Sequence, residues 1–481
     1  MISAPTGSGK TLIALAAAVA SGEQTTILTH QRALQQQYME HELVPPLRMA
    51  TGRANHLCIL EDQPEGMTAA HAPCTDGYLC PHSMASDEGH IACPYYRERE
   101  LAQAAPIRIL NYPLFFLQTK FKRFQAGLVI CDEGHRLDKA ILQNETVGFS
   151  RDVQQWLREH KLAVPRALKD GDLLSNHNAR VRTWLTAVHT LVTSMAGLKV
   201  SEDEQDVLDA LKETVKRMWF LLNINATAVY RERSWAFVPV LPEELAPSVL
   251  HRALIGHKRL VVMSATIFDA QYVADRLAVP HTSAQYVDLP STFPVDRRPI
   301  FIKPVARMNV ESTKDPVVLK ALADTIDNII ARYGARKGLI HCGSFALGRE
   351  IVARSRFRER MHVAEPGDNH LQAFVDSADG IYVSPSAYEG YDFKDDLCRF
   401  NIVAKISWPN RGDPVTAQQL KLIPGFNEYE AASALVQAAG RGMRHDEDWC
   451  HTYVLDGSVN MLLARVKESL PMWFRAALQW S

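Results

Sequence analysis

Close to its N-terminus the chain reads Ala4-Pro5-Thr6-Gly7-Ser8-Gly9-Lys10-Thr11, and few eight-residue strings restrict a fold as strongly. The string matches a phosphate-binding loop with alanine in the first glycine position. Backbone amides of such a loop wrap phosphate oxygens, its lysine reaches the β and γ oxygens, and its threonine hydroxyl meets magnesium. Thr6, Gly7, Ser8, Gly9, Lys10 and Thr11 are therefore the expected nucleotide contacts, with Thr11 also a magnesium ligand. A glycine-rich turn before an ordinary helix would not need the Gly-Lys-Thr ending. The apolar run Leu12 to Ala20 has the composition of a signal-peptide core. A helix packed on a sheet behind a phosphate loop needs the same residues, and we read it that way.

A second constraint is the sequence Asp132-Glu133-Gly134-His135, which follows the apolar run Leu128 to Cys131. A strand of this kind delivers its last residues to the carboxyl edge of a sheet, where α/β proteins bind ligands. Asp132 is the expected magnesium carboxylate, acting through water, and Glu133 the group that orients and activates an attacking water. His135 is expected to couple hydrolysis to a neighbouring lobe. Far downstream, Gln437-Ala438-Ala439-Gly440-Arg441-Gly442-Met443-Arg444 sets two arginines three residues apart, on one face if helical. Gln437, Arg441 and Arg444 are expected to face the γ-phosphate from a second lobe, the arginines stabilising its charge; the alternative is a solvated basic helix.

Strand-like and helical runs alternate around these motifs. Thr26 to Thr29 precedes a helical pattern over Gln31 to Leu43, and Gly127 to Cys131 and Arg259 to Met263 are further strand-like runs. Such alternation argues for parallel α/β sheets. From Asp152 to about Phe237 the pattern turns helical, notably over Val181 to Met195 and Glu204 to Leu222, and the stretch reads as a helical insertion. The proline-rich Leu289 to Pro294 marks a boundary, after which Gly338 to His341, Gly380 to Val383 and Phe400 to Val403 begin a second α/β series. The expected division is a first lobe at 1–52, 106–150 and 246–288, a cysteine-bearing insertion at 53–105, a helical insertion at 151–245 and a second lobe at 289–481. At 481 residues the chain is long enough for about three domains.

Four of the eight cysteines, Cys58, Cys74, Cys80 and Cys93, fall between the loop and the acidic pair. A nucleotide-hydrolysing core needs no such insertion, so the insertion points to what the motor acts on. The scattered Cys131, Cys342, Cys398 and Cys450 read as buried thiols. A local cysteine cluster in a large enzyme-like chain fits metal binding in a reducing, cytoplasmic compartment better than a secreted disulfide framework. Gaps of fifteen, five and twelve residues differ from the tight pairs of zinc ribbons. Proline follows Cys80 and Cys93, as at some ferredoxin ligands. Nearby His56, His71, His82 and His90 keep zinc open, so spacing alone leaves iron-sulfur and zinc both standing.

With these motifs in order the chain resembles the XPD/DinG-like family of iron-sulfur helicases within superfamily two. Thr29 to Gln37 is similar to motif Ia, Asn111-Tyr112-Pro113-Leu114 to the segment returning from the cluster, and Ser264-Ala265-Thr266 to motif III. Glu389-Gly390-Tyr391-Asp392-Phe393 is similar to motif V and Gln437 to Arg444 to motif VI. The resemblance implies two RecA-like P-loop lobes, with an iron-sulfur insertion and a helical arch-like insertion in the first. It implies ATP and Mg2+ as ligands and a 4Fe-4S cluster on Cys58, Cys74, Cys80 and Cys93. Thr266 would link hydrolysis to DNA movement, and Glu389 and Asp392 would join nucleotide and strand contacts. Translocation along single-stranded DNA would run 5′ to 3′, by a monomeric motor acting on forked or structured DNA or on RNA-DNA hybrids.

Three departures stand out. Gly134 replaces the usual alanine of the acidic motif, which is expected to loosen the local backbone. The chain begins three residues before the loop pattern, so either base selectivity is relaxed or the true start lies upstream. The helical insertion is short for an arch.

Lysine plus arginine total 53 against 54 acidic residues, so any DNA contact must come from local basic patches. Two aromatic clusters beside positive charge are candidates: Tyr95-Tyr96-Arg97, and Phe115-Phe116 with Lys120, Lys122 and Arg123. Stacking combined with phosphate contact holds single strands without reading sequence; the competing reading makes both pairs core. Arg349, Arg354, Arg356, Arg358 and Arg360 form either another strand contact or a solvated face. No apolar run reaches the roughly 18 residues a membrane span needs. The expected activity is ATP-driven DNA unwinding. The alternative is a DNA-stimulated ATPase that remodels nucleoprotein without unwinding, and no separate nuclease segment is visible.

Overall fold

A computed structural model describes residues 1–481 except 42–45, 62, 76–79, 85–90, 196–199, 368–369, 386–392, 394, 444, 446 and 481, and except the side chains of 202, 203 and 257. The first lobe opens with strands β1 (Ile2–Ser3), β2 (Thr25–Thr29), β3 (Leu47–Met49), β4 (Ile107–Asn111) and β5 (Ala126–Cys131). Every residue of β2 and β5 is buried, the signature of strands covered on both faces. Between β1 and β2 the helix Lys10–Ser21 buries Ala14, Leu15 and Ala18 and stops at Gly22, whose φ of 63° is left-handed. Leu12 and Val19 of that apolar run face outward.

The chain then leaves the sheet to build the insertion. Helices Arg151–Glu159, Asn178–Ser194 and Glu202–Leu221 pack with a small antiparallel sheet of β6 (Val147–Gly148), β7 (Ala226–Arg231) and β8 (Ser234–Pro239), ordered β6-β8-β7. The two long helices lie where the sequence pattern places them. The hairpin of β7 and β8 corrects the all-helical reading of this stretch. Its turn residues Glu232 and Arg233 have φ of 49° and 65°, so the chain adopts a left-handed two-residue turn without the glycine or asparagine that normally announces one. The insertion has its own core, built around Trp156, Trp184, Leu211, Met218 and Phe237.

On its return the chain adds β9 (Leu254–Ser264) and β10 (Val287–Asp288), completing a parallel sheet of order β10-β1-β9-β5-β2-β4-β3. The second lobe repeats the plan with β11 (Ile300–Ala306), β12 (Gly338–His341), β13 (Met361–Val363), β14 (Ile381–Ser384), β15 (Phe400–Val403), β16 (His451–Asp456) and β17 (Leu478–Trp480). Its sheet, again parallel, is ordered β13-β14-β12-β15-β16-β11-β17.

One apolar cluster joins the lobes, running from Leu137, Ile267 and Phe268 of the first to Tyr429, Leu435 and Phe474 of the second. The Tyr429 ring stacks on Phe268 and Tyr272 with centroids 4.6 and 4.1 Å away, and its hydroxyl donates to the Thr266 carbonyl at 3.1 Å. The insertion reaches the second lobe as well, through Arg231 with Asp413 and through Gln418 to the Gly171 carbonyl at 2.7 Å. Cys131, Cys342, Cys398 and Cys450 are all buried, as their apolar contexts suggest. Among the described residues no helix is long and apolar enough to cross a membrane.

Candidate functional site

Because the first sheet is parallel, β1, β5 and β9 deliver the phosphate loop, Asp132 and the segment from Ser264 to one edge. There they line a cavity of about 590 Å³ whose far wall is Gln437 and Arg441 of the second lobe. Gly7 and Gly9 have φ of 75° and 76°, a backbone that only glycine adopts without strain, and Gly9 caps the helix that starts at Lys10. The helix N-terminus with its unpaired amides thus faces the cavity. Lys10 donates to the Ala4 and Pro5 carbonyls at 3.4 and 3.2 Å, folded across its own loop. Thr6, Gly7, Gly9, Lys10 and Thr11 line the cavity, and Ser8 sits in the turn behind them with its hydroxyl buried.

Asp132 is 4 % exposed. Its Oδ1 accepts from the Glu133 amide and its Oδ2 from the Tyr38 hydroxyl, both at 2.9 Å. Burial, reinforced by the charge of Glu133, pushes its carboxyl up to about 6, while Lys10 and the Tyr38 hydrogen bond pull the other way. Glu133 takes φ of 50°, a costly left-handed conformation for a non-glycine residue that turns its side chain towards the cavity. Desolvation would raise its carboxyl, yet the net direction is downward, because His135, Lys10, Arg441 and Arg136 surround it with positive charge. It therefore stays a carboxylate able to accept a proton.

His135 ties these groups to the other lobe. The Gln437 amide nitrogen lies 2.8 Å from His135 Nε2, and His135 Nδ1 lies 2.7 Å from Ser264 Oγ and 3.3 Å from Glu133 Oε2. Nδ1 faces two oxygens, Ser264 Oγ and Glu133 Oε2, and so carries a proton, while Nε2 meets the Gln437 amide. Ser264 Oγ in turn contacts Thr266 Oγ1 at 3.1 Å and accepts from the Thr266 amide at 3.2 Å. Gly440 touches the loop: a Cβ there would lie 2.7 Å from Thr6 Oγ1. Gly134 is equally confined, since its Cβ would meet Val262 Cγ1 at 2.3 Å. The glycine in the acidic motif is thus a close-packing requirement, which corrects the expectation of a loosened backbone. Arg444, Glu389 and Asp392 lie outside the described residues.

Two aromatic groups resolve differently. Phe115 and Phe116 are each 1 % exposed and belong to the core. Tyr95 is buried in a small cluster with Ala69 and Cys93, while Tyr96 is half-buried. Arg53 and Arg99 lie over this tyrosine pair, with guanidinium carbons 4.8 and 4.6 Å from the Tyr95 and Tyr96 centroids respectively. The basic stretch after Arg349 is engaged by acids: Arg349 with Glu365, Arg354 with Glu350, Arg356 with Asp327, Arg358 with Glu359 and Arg360 with Asp379. That pairing favours a solvated face.

Around the four clustered cysteines, Cys80 precedes the turn Pro81–Ser83, and Cys93 stands at the N-cap of the helix Pro94–Ala104. Arg53 donates to Cys74 Sγ at 3.1 Å. Among the described residues no three of the four sulfurs gather within 4.8 Å of one another. Of the histidines that kept zinc open, His56 is held by Thr51 Oγ1 at 2.8 Å and Glu98 at 3.2 Å, and His90 lies outside the described residues. The donor set fits an iron-sulfur cluster.

Sequence reading missed Tyr38, which lies fully buried near the end of the helix Arg32–Met39. An aromatic seven residues beyond the Gln31 of motif Ia was its one visible signal.

Residues 354–477 match the family model of a helicase C-terminal domain, and residues 80–153 match the DEAD_2 model. The ATP-dependent DNA helicase YoaA of Escherichia coli (strain K12) is 22% identical over 559 residues, spanning 93% of this chain and 86% of that protein. YoaA of Haemophilus influenzae is 21% identical over 566 residues with the same coverage. Among solved structures an XPD helicase superposes with a TM-score of 0.63 at 16% identity, covering 100% of this chain and 95% of that one. S. tokodaii Xpd4 follows at 0.59 and 13%, again covering 100% and 95%. These folds share the paired parallel lobes described above. Motif order, family models and end-to-end relatives converge on the XPD/DinG-like helicases of superfamily two, which this chain resembles.

Proposed function

We propose that the chain converts ATP hydrolysis in the inter-lobe cavity into 5′ to 3′ movement along single-stranded DNA, separating strands at forks with a 4Fe-4S cluster near the junction. The observation that carries this reading is the Glu133–His135–Gln437 chain, which links the hydrolytic carboxylate of one lobe to the other lobe through contacts of 3.3 and 2.8 Å. In it, the amides of Thr6 to Thr11 hold the phosphates and Lys10 leaves the Ala4 and Pro5 carbonyls for the β and γ oxygens. Thr11 and Asp132 hold magnesium, which supplies charge neutralisation on the phosphates when bound. Glu133 takes the proton of the attacking water, and Arg441, joined by Arg444, stabilises charge on the γ-phosphoryl group. As charge at Glu133 changes, His135 passes the change to Gln437 and through Ser264 to Thr266. Glu389 and Asp392 are assigned to nucleotide and strand contacts by resemblance alone.

Cys58, Cys74, Cys80 and Cys93 would hold the cluster, which supplies the small domain with the rigidity its few buried residues do not. The adjoining Tyr96, Arg99 and Arg53 form the surface best suited to stack and steer a strand.

The test is strand displacement on 5′-tailed, 3′-tailed and RNA-DNA hybrid duplexes. Unwinding of the 5′-tailed fork alone, absent in Lys10→Ala, is the expected result. Equal activity on both tails would overturn the polarity. DNA-stimulated ATPase without displacement by cluster-loaded protein would instead establish a non-unwinding remodeller. Cys80→Ser should lose the iron and its visible absorbance; retention of both would remove the cluster assignment.

A further inference from the structure

We propose that Tyr38 is a positioning residue for the magnesium carboxylate, fixing Asp132 from the motif Ia helix. The proposal rests on the reading above that Asp132 holds the cation. Tyr38 is 0 % exposed, and its hydroxyl donates to Asp132 Oδ2 at 2.9 Å. On the other side of the carboxylate, the Glu133 amide donates to Oδ1 at 2.9 Å. One donor fixed on each oxygen sets the plane of the carboxylate while leaving each oxygen a second lone pair.

The arrangement is specific to magnesium chemistry. That ion demands near-ideal octahedral geometry with bonds of about 2.0 to 2.1 Å and tolerates little ligand wandering. A carboxylate in a dry site without fixed donors rotates or takes up a proton. Tyr38 opposes both by donating to one oxygen of the carboxylate. The helix that carries it is anchored through its first turn: Gln35 donates to the Ala50 carbonyl at 3.5 Å, and Arg32 to Asn55 at 3.0 Å at the start of the cysteine-bearing insertion. The phenol is therefore fixed from outside the ATPase loop.

The test compares Tyr38→Phe with the parent full-length protein, reading nucleotide binding with a fluorescent ATP analogue across a magnesium titration and in EDTA. Losing a hydrogen bond to a charged group should raise the half-saturating magnesium concentration about ten-fold while affinity in EDTA stays unchanged. Direct Mn2+ binding, followed by electron paramagnetic resonance, should weaken by the same factor. Circular dichroism and thermal unfolding establish that the variant is folded. An unchanged magnesium requirement overturns the proposal, and so does an equal loss in EDTA, which would make Tyr38 a support of the loop alone. Asp132→Asn separates the two levels: if it also leaves the magnesium requirement unchanged, the cation assignment fails; if it raises the requirement and Tyr38→Phe does not, only the positioning role fails.

Discussion

Restoring the family's usual alanine at Gly134 should damage this chain. The added Cβ falls 2.3 Å from Val262 Cγ1 and 3.2 and 3.3 Å from the Met263 amide and carbonyl, where ordinary carbon contacts need about 3.5 to 4.0 Å. The strand cannot retreat, because Val262 pairs with Cys131 on one side and Met263 with Ile2 on the other. Val262 is 2 % exposed and β-branched, so its rotamers are restricted. The turn that carries Glu133 and His135 must therefore shift by about 1 Å, at a cost of about 1–3 kcal/mol for overpacking. A displacement of that size at catalytic groups lowers turnover by up to about 100-fold. The assay is a double-mutant cycle with Val262→Ala, following ATPase turnover and urea unfolding. Gly134→Ala should cost less in the Val262→Ala background, with a coupling of about 1 kcal/mol or more. Wild-type stability and turnover in Gly134→Ala, or an equal loss in both backgrounds, would refute the reasoning.

Other outcomes follow from the same geometry. Gly440→Ala places a methyl 2.7 Å from Thr6 Oγ1 and should raise the KM for ATP about ten-fold by holding the second lobe off the loop; an unchanged KM would contradict the contact. Asp132 has a folded pKa of about 6 against a reference of 3.8, so between those values the folded state binds the extra proton. Its stability contribution rises as pH falls from 6 towards 4 and is absent at pH 7. The magnesium-free protein should accordingly lose up to about 3 kcal/mol of this contribution between pH 4 and pH 7, a slope absent from Asp132→Asn; urea midpoints with the same pH dependence in both proteins would refute this. Burial pushes the Cys131 and Cys342 thiols up to about 12. Iodoacetamide at pH 8 should leave both unmodified in native protein and label them in urea, by peptide mass mapping.

What could be read from the sequence was whatever is encoded locally. The phosphate loop, the acidic pair and the fully apolar β2 and β5 announce themselves within a few residues, and their meeting at one sheet edge follows from parallel pairing. The hairpin of β7 and β8 was hidden because Glu232 and Arg233 occupy its left-handed turn without the usual residues. Tyr38 was hidden for another reason: its importance depends on a helix lying over the end of β5, 94 residues away in sequence. Phe115, Phe116 and the arginines after Arg349 are ambiguous in one dimension, since neither burial nor an acidic neighbour from another element can be seen along the chain. Gly134 was misread for the same reason, as the atom that forbids a Cβ belongs to β9.

The stack of Tyr429 on Phe268 and Tyr272 bears on how the two sheets move. Any turn of the second lobe about this contact would be magnified along the helix that carries Tyr429. Gln437 lies eight residues farther along the same helix, about 12 Å away at 1.5 Å per residue. A turn of about 5° there would carry Gln437 about 1 Å, enough to break its contact with His135. A small angular change is thus sufficient to disconnect one side of the cavity from the other.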